Sequence, residues 1–331
     1  MKNAAPPAVA VIGAGVSGLT CAVAFAEREH RVTILADETG EQTTSAAAAA
    51  IWFPYDAEPA AKVIPWSLVT YEQLRKLARD PSTGVSMIEL RCFSCGNEMP
   101  IPHWAGALGA CSLIKPKEGK RTSATSEPFP SAFRSGFSIR VPLTDTTRYL
   151  DYLRQRFTDA GGRIRIVHLQ RIEEVSQRFK IIVNCAGIGA RELTPDPEVE
   201  PHRGQVAIVR KLDLPCAIVC DDPPLMYAIP RRSDCVFGGS NSVNSSRQPI
   251  IAESDAIVKE CSRVLNIEAP AVIATRVGLR PYRKSGVRVE SERLGDGRAI
   301  IHNYGHGGSG FTLSWGCAED VLSLSRPFRT S

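Results

Sequence analysis

Ala8-Val9-Ala10-Val11-Ile12-Gly13-Ala14-Gly15-Val16-Ser17-Gly18 is an apolar strand that runs straight into a glycine turn. The turn opens a helix extending through Glu29, a second strand follows at residues 31–35, and Asp37 stands nineteen residues after Gly18. Each part has a mechanical job. Gly13 makes the tight turn, Gly15 lets backbone approach a pyrophosphate, and Gly18 lets helix and strand pack closely. The helix start aims its free amides at the phosphates, and Asp37 can accept hydrogen bonds from a ribose. A bare glycine triplet is weak evidence. Strand, turn, helix, strand and acid in that order predict a dinucleotide-binding α/β unit, against the plainer reading of a chance glycine turn.

A second glycine-rich stretch lies near the other end: Ile301-His302-Asn303-Tyr304-Gly305-His306-Gly307-Gly308-Ser309-Gly310-Phe311-Thr312-Leu313-Ser314-Trp315-Gly316. Residues 298–301 before it read as a buried strand, and residues 312–324 after it as a helix. Such a loop brings backbone amides close to a ligand and leaves a helix N-terminus aimed at it. The expected target is the pyrimidine side of a flavin, with Gly307, Gly308, Gly310 and Thr312 on the wall. Early in the chain, Gln42-Thr43-Thr44-Ser45 and the alanine run 46–50 lead to Ile51-Trp52-Phe53-Pro54-Tyr55. This is either a capped helix start or a run of small side chains against which a flat ring can lie. It breaks the regular βα rhythm of a nicotinamide dehydrogenase.

The chain has 331 residues, more than one core usually fills, so two domains are expected. A net charge of +5 with scattered lysines and arginines gives no case for nucleic acid, and no apolar run is long enough to span a membrane. Ten cysteines without regular spacing read as reduced thiols in a cell interior. Cys92 and Cys95 have redox-motif spacing and Cys216 and Cys220 are four apart, yet neither pair has the second half of a metal site, so no metal is expected.

Between the two glycine stretches, residues 66–77 read as a helix and 86–93 as a strand, and 115–130 as a polar loop. Residues 144–160 read as an amphipathic helix, 163–169 as a strand, and 180–187 as a buried strand ending in a small-residue turn. Strands at 206–209, 217–220, 227–230, 235–238 and 275–279 then form a second layer. The nucleotide fold is therefore interrupted by a mainly β insertion.

These blocks together resemble the D-amino-acid oxidase family of FAD enzymes, which also includes the D-aspartate oxidases. The resemblance rests on Val11-Ile12-Gly13-Ala14-Gly15-Val16, Val183-Asn184-Cys185-Ala186-Gly187 and Arg203-Gly204-Gln205. It rests also on Val277-Gly278-Leu279-Arg280-Pro281 and, most specifically, on His302-Asn303-Tyr304-Gly305-His306-Gly307-Gly308 with Thr312 and Trp315-Gly316. It implies an α/β fold in which a Rossmann-like FAD-binding domain (1–55, 145–200 and 285–331) is interrupted by a mainly antiparallel-β substrate-binding domain (56–144 and 201–284). It implies oxidative deamination of a D-amino acid to a 2-oxo acid, with ammonia and H2O2 released and O2 as electron acceptor. Arg280 matches the arginine that grips the substrate carboxylate, Tyr227 the tyrosine that also reaches it, and Gly308 the glycine whose carbonyl takes the amino group. Gly13, Ala14, Gly15, Val16, Ser17, Gly18, Asp37, Glu38, Thr43, Thr44, Ser45, Ala50, Ile51, Leu169, Ala186, Gly307, Gly308, Gly310 and Thr312 match the FAD site.

The chemistry agrees with those roles. A guanidinium offers a planar two-donor fork that fixes a carboxylate's orientation, which an ammonium cannot do. Hydride transfer from Cα needs a free amine and alignment more than a base, so His302 and His306 are assigned to packing.

Four departures from the family shape the expectations. Ala50 stands where many relatives carry glycine. Asp221-Asp222-Pro223-Pro224-Leu225-Met226 is short and lacks the second tyrosine of a longer lid, so fast product release is expected. Gly238-Gly239 is followed by Ser240-Asn241-Ser242 and not by the arginine of D-aspartate oxidases, so neutral or hydrophobic side chains are expected, with Arg231 and Arg232 able to overturn that. The chain ends Arg329-Thr330-Ser331, without the family's peroxisomal tripeptide, and no signal peptide is read, which favours an intracellular, cytoplasmic location. The alternatives left open are a D-aspartate oxidase, another flavin amine oxidase or dehydrogenase of glycine or sarcosine type, and a flavin-binding protein without turnover. A homodimer is also left open.

Overall fold

Four consecutive apolar residues with no polar face belong in a sheet covered on both sides. That is where Val9–Ile12 lies in the computed structural model of this chain, which describes residues 7–55, 57–96, 98–113 and 130–328. In chain order the first strands are Val9–Ile12 (β1), Val32–Ala36 (β2), Val85–Ser94 (β3), Cys111–Leu113 (β4) and Ser135–Thr144 (β5). Arg163–Ile166 (β6), Ile181–Asn184 (β7), Val199–Arg210 (β8), Ala217–Cys220 (β9) and Met226–Pro230 (β10) follow. The last are Asp234–Gly238 (β11), Ser242–Val243 (β12), Val272–Arg283 (β13), Arg288–Arg293 (β14) and Ala299–Tyr304 (β15). The α-helices are Val16–Ala26 (α1), Ala60–Leu77 (α2), His103–Ala107 (α3), Thr146–Asp159 (α4), Ala190–Leu193 (α5), Ile251–Leu265 (α6) and Gly310–Ser325 (α7).

One sheet has the order β14-β15-β7-β1-β2-β6, with β1, β2, β6, β7 and β15 parallel and β14 an antiparallel edge. Helices α1, α4 and α7 pack together on one face of it. The other sheet runs β12-β8-β11-β10-β9-β3-β5-β4, with β13 paired along β8, and is antiparallel except where β3 meets β9. The chain crosses between the sheets several times, so the late stretch 288–325 completes the sheet begun at residue 9. The parallel sheet places Gly13, Ala36 and Cys185 together at the carboxyl ends of adjacent strands, where nucleotides bind in such folds.

Several elements differ from the sequence reading, each for a local reason. Helix α2 starts at Ala60, not Trp66, because Pro65 lies inside its second turn, where it removes a single N–H. Strands β8 and β13 extend well beyond 206–209 and 275–279. Their added residues carry charged and aromatic side chains (Glu200, His202, Arg280, Tyr282) that blur the apolar pattern. Helix α6, which the sequence reading does not contain, buries Ile257, Val258, Cys261 and Val264 against β8, β10 and β11. The polar loop expected at 115–130 falls almost entirely outside the described residues, as do the chain-end residues Arg329-Thr330-Ser331. Among the described residues no helix is long and apolar enough to cross a membrane.

Ala50 has a physical signature that its sequence only hints at. Its φ is +55°, in the left-handed region that costs an L side chain roughly 1–2 kcal/mol. Glycine loses that penalty but gives back about 0.4–1 kcal/mol of unfolded-state entropy. Ala50→Gly is therefore expected to stabilise the protein by roughly 0.5–1 kcal/mol, raising Tm by about 1–3 °C. A lower Tm on a thermal melt would show that the methyl group packs favourably enough to offset its strain.

Candidate active site

One cavity of about 700 Å³ runs between the two sheets, from the Gly13 turn and Asp37 at one end to Tyr227, Arg280 and Gly308 at the other. Its volume is within the range of small-molecule sites, roughly 300–1,000 Å³.

The nucleotide end is built from backbone. Gly13 turns at φ +98°, and a Cβ there would collide with the Cys185 carbonyl oxygen on the neighbouring strand. A Cβ on Gly15 would stand 2.9 Å from Ser45 Oγ, so only hydrogen keeps the floor of the cradle open. Ser45 Oγ also accepts from Val16 N at 2.9 Å, capping α1 from a distant segment. Gly18 is not on the cavity wall: a Cβ there would overlap the Gly13 carbonyl, so its place is the packing of α1 onto the turn. Asp37 is mostly exposed and pairs with His168, Oδ2 to Nδ1 3.0 Å, at the rim. Thr43 and Thr44 line the wall, but their hydroxyls already donate to Gly40 O (2.8 Å) and Leu279 O (3.3 Å). What they can still offer a ligand is mainly backbone.

The other end is built from side chains. Tyr227 on β10 lies across Gly238, the last residue of the adjacent β11, and Gly239 just after it, and a Cβ on Gly239 would come within 2.6 Å of its ring. Arg280 on β13 lies over Gly204 on β8, where any Cβ would strike the guanidinium. The glycines of Arg203-Gly204-Gln205 and Gly238-Gly239 are thus the spaces that two functional side chains occupy. Arg280 Nη1 donates to Ser240 O at 3.0 Å and the guanidinium also hydrogen-bonds the Tyr227 hydroxyl, which steers the fork and leaves part of its five donors for a ligand. Burial pushes the Tyr227 phenol above its usual pKa, and the adjacent Arg280 guanidinium opposes this, so at neutral pH the hydroxyl stays a donor.

The late glycine loop is stitched to β13 beside Arg280: Gly307 N donates to Pro281 O at 2.9 Å. That places Gly308 against the base of Arg280 and against the ring of Tyr55, which a Cβ would meet at 2.8 Å. Tyr55 is held there by α7. Its amide donates to Ser309 Oγ at 2.9 Å, and Phe53 exchanges two hydrogen bonds with Thr312 Oγ1 at 3.1 and 3.0 Å. The Thr312 hydroxyl therefore anchors the 53–55 segment, and the α7 backbone at Gly310, Phe311 and Thr312 faces the cavity. Tyr55 has no role in the sequence reading, although it ends a stretch quoted there. Nothing local marks it, because its neighbours in space are residues 227, 280 and 308.

The remaining wall at this end is apolar: Phe53, Val219, Leu225 and Ile229. Asp221 is its charged member, and Asp222 beside it is fixed to β3 by Ser94 Oγ (2.7 Å) and Cys95 N (2.6 Å). Asp222 is thereby tied down. Arg231 is spent on a buried fork-to-carboxylate pair with Asp234, at 2.6 and 3.0 Å. Neither Arg231 nor the exposed Arg232 lines the cavity. All cysteines at described positions are free thiols, and the sulfur that approaches Cys220 is that of Cys95, brought by strand register and not by sequence spacing.

His302 is fully buried, 2.8 Å from Glu292 and off the cavity wall. His306 does line the cavity, with Nε2 3.0 Å from Asn303 Oδ1, and burial lowers its pKa to about 4. A neutral His306 in the native state must take up a proton on unfolding below its ordinary pKa, about 6.5. Its contribution to stability is complete above that value and is lost as pH falls toward 4. Between pH 7.5 and pH 5 the loss should be about 2 kcal/mol. Burial also pushes His302 down, against the pull of Glu292, so it acts in the same direction. In urea unfolding at the two pH values, His306→Gln should remove most of this acid sensitivity. An unchanged pH slope in the variant would refute the assignment.

Comparison with known proteins places the chain among flavoenzymes. Residues 8–324 match the family model described as FAD dependent oxidoreductase. A D-amino-acid oxidase of Rubrobacter xylanophilus is 39% identical over 322 residues, covering 95% of this chain and 94% of that protein. A D-amino-acid oxidase of Streptomyces coelicolor is 36% identical, covering 96% of both chains. In fold, the chain is similar to glycine oxidase from Geobacillus kaustophilus, with a TM-score of 0.79, 18% identity, and coverage of 98% of this chain and 95% of that one.

Proposed function

The chain belongs to the FAD-dependent oxidoreductase family that includes the D-amino-acid oxidases, and from that membership we propose that it oxidatively deaminates D-amino acids with neutral or apolar side chains. The products are the 2-oxo acid, ammonia and H2O2. One observation carries the reading: Arg280, Tyr227, Tyr55 and Gly308 come from four distant parts of the chain and surround one end of a cavity whose other end is a dinucleotide cradle.

FAD fits the cavity on structural grounds, since Gly13 and Gly15 keep the cradle open, the α1 N-terminus faces it, Asp37 stands at its rim, and the start of α7 lies farther along the same wall. Gly13, Gly15, Val16, Ser45 and Asp37 would hold the nucleotide, and Ala50, Ile51 and the 307–312 backbone the flavin. When bound, FAD supplies the acceptor that takes a hydride from the substrate Cα and passes the electrons to O2.

The protein's own residues do the rest by positioning. The free donors of Arg280 take the substrate carboxylate, and the Tyr227 hydroxyl adds a donor on the same side. The Gly308 carbonyl, on the late glycine loop, accepts from the amino group. With carboxylate and amine fixed, Cα–H has one direction and the side chain another, and this selects one enantiomer. Neutral His306 takes no proton from substrate in this scheme. The apolar Phe53, Val219, Leu225 and Ile229 suit an uncharged side chain. The division of labour is part of the proposal: residues 1–55, 145–200 and 285–331 hold the cofactor and lend Phe53, Tyr55 and Gly308 to the substrate end, which 56–144 and 201–284 otherwise shape.

A peroxide-coupled screen of the purified protein against paired D- and L-amino acids, with glycine and sarcosine included, tests it. D-Alanine and D-phenylalanine should be oxidised with kcat/KM at least tenfold above D-aspartate, and L-amino acids not at all. Oxidation of glycine alone, or electron transfer without peroxide, would sink the reading. Because the segment after β9 is short, lacks a lid tyrosine and is anchored at Asp222, stopped-flow traces should show product release faster than flavin reduction.

A further inference from the structure

The cavity wall carries two guanidinium groups among its described residues. Arg280 serves the substrate end. Arg247 stands at the opposite end, beside Glu38 and far along the wall from Tyr227, and nothing above accounts for it. It belongs to the exposed run 244–250 between β12 and α6, which comes from the antiparallel sheet, whereas Glu38 follows β2 of the parallel sheet. Arg247 Nη1 lies 2.5 Å from Glu38 Oε1, so one ion pair joins the two halves of the molecule at the mouth of the nucleotide cradle.

The run is held in that place by a buried cation. Arg203, 2% exposed, donates to Ser246 O (3.2 Å), Gln248 O (2.9 Å), Gln205 Oε1 (2.7 Å) and Glu253 Oε2 (2.6 Å). Gln205 in turn binds both backbone groups of Ile250, at 2.9 and 2.7 Å. Removing any of these acceptors would leave a buried charge or amide short of partners, so the loop is strongly specified. The two carbonyls that Arg203 grips flank residue 247 on either side. The Arg247 side chain is thereby directed outward, over the cradle.

Charge gives the placement its purpose. The nucleotide end of the wall presents Asp37, Glu38 and Glu192, and a dinucleotide adds two phosphate charges of the same sign. A half-exposed ion pair is worth little as a structural tie. A guanidinium that neutralises Glu38 and still has donors to spare is worth more to an anionic ligand.

We propose that Arg247 is a cofactor-retaining residue: held by the Arg203 network, it lies over the adenosine half of FAD and gives it a charge-assisted contact. This rests on the FAD site and not on the choice of substrate, so it stands or falls independently of D-amino-acid oxidation. The test is made on apoprotein prepared from the holoenzyme, by fluorescence titration with FAD and by competition with ADP as a probe of the adenosine half. Arg247→Ala should raise the FAD dissociation constant about tenfold, weaken ADP by a similar factor, and lessen the salt dependence of both. Arg247→Lys should fall between, and Arg232→Ala, an exposed arginine off the wall, should match the wild type. The inference is overturned if FAD affinity in Arg247→Ala stays within twofold of wild type, or if FAD weakens while ADP does not. Should Arg247→Ala melt lower as apoprotein, Arg247→Lys decides, since a purely structural tie would restore ADP affinity fully with the charge. A wild-type protein that fails to bind FAD would instead refute the cofactor assignment itself.

Discussion

Replacing Arg280 with alanine is expected to lower kcat/KM for D-alanine by roughly 10²–10³-fold, or about 3–4 kcal/mol, while the protein still binds FAD. The size follows from what the guanidinium does. It meets a substrate carboxylate in a partly buried end of the cavity, and truncation leaves that carboxylate facing Tyr227 alone. Much of the loss should appear in KM, because the contact exists before the chemistry. Some should appear in kcat, because the same contact aligns Cα–H. Arg280→Lys should recover little. An ammonium cannot keep the donor to Ser240 O and also present a planar pair to the substrate. The flavin absorbance of both variants should be unchanged, since Arg280 is fixed by Gly204 and Ser240 and not by the cradle. Loss of the flavin along with activity, or full activity without the guanidinium, would show that the carboxylate is held elsewhere.

Gly13→Ala is expected to yield protein that purifies without flavin colour and binds added FAD at least 100-fold more weakly. Two costs combine there. The φ of +98° is foreign to an L side chain, a penalty of about 1–2 kcal/mol. The methyl group would also collide with the Cys185 carbonyl. That carbonyl belongs to the residue following β7, which is hydrogen-bonded in register to β1, so neither partner can withdraw without opening the centre of the parallel sheet. Gly297→Ala supplies the comparison. Its φ is +83°, but a Cβ there meets nothing within 4 Å, so it should lose only the conformational part and keep its flavin. If the two variants behaved alike, the strand-to-turn packing assigned to Gly13 would be wrong.

Features read correctly from the sequence were short-range. The Gly13-to-Asp37 series sits within one βαβ unit whose order is visible locally, although the atoms that crowd Gly13 and Gly15 come from Cys185 and Ser45 and only Gly18 packs on a near neighbour, Gly13. The late loop likewise lies between its own strand and helix. Strand ends and helix starts were blurred where one residue carried a conflicting local signal: Pro65 inside α2, and the charged or aromatic positions that lengthen β8 and β13. Helix α6 alternates charged residues with a thin apolar stripe, and that stripe becomes a buried face only once β8, β10 and β11 lie beneath it.

The sequence by itself determined the dinucleotide cradle, the glycine loop and the arginine candidates, because hydrophobic runs and glycine spacing act on the chain locally. Only the tertiary structure decided which of those groups remain free to act. It spends the Thr43, Thr44 and Thr312 hydroxyls on backbone, commits Arg231 to Asp234, moves Gly18 off the wall, and leaves Arg280 facing the cavity. It also brings Tyr55 and Arg247 to the cavity wall, where no neighbouring residue announces them. Some of these hydrogen-bond partners are near in sequence (Thr43 with Gly40, Arg231 with Asp234) and others far (Thr44 with Leu279, Thr312 with Phe53), so only packing decides which one a side chain takes, and a guanidinium becomes a binding group only where packing has left donors unsatisfied.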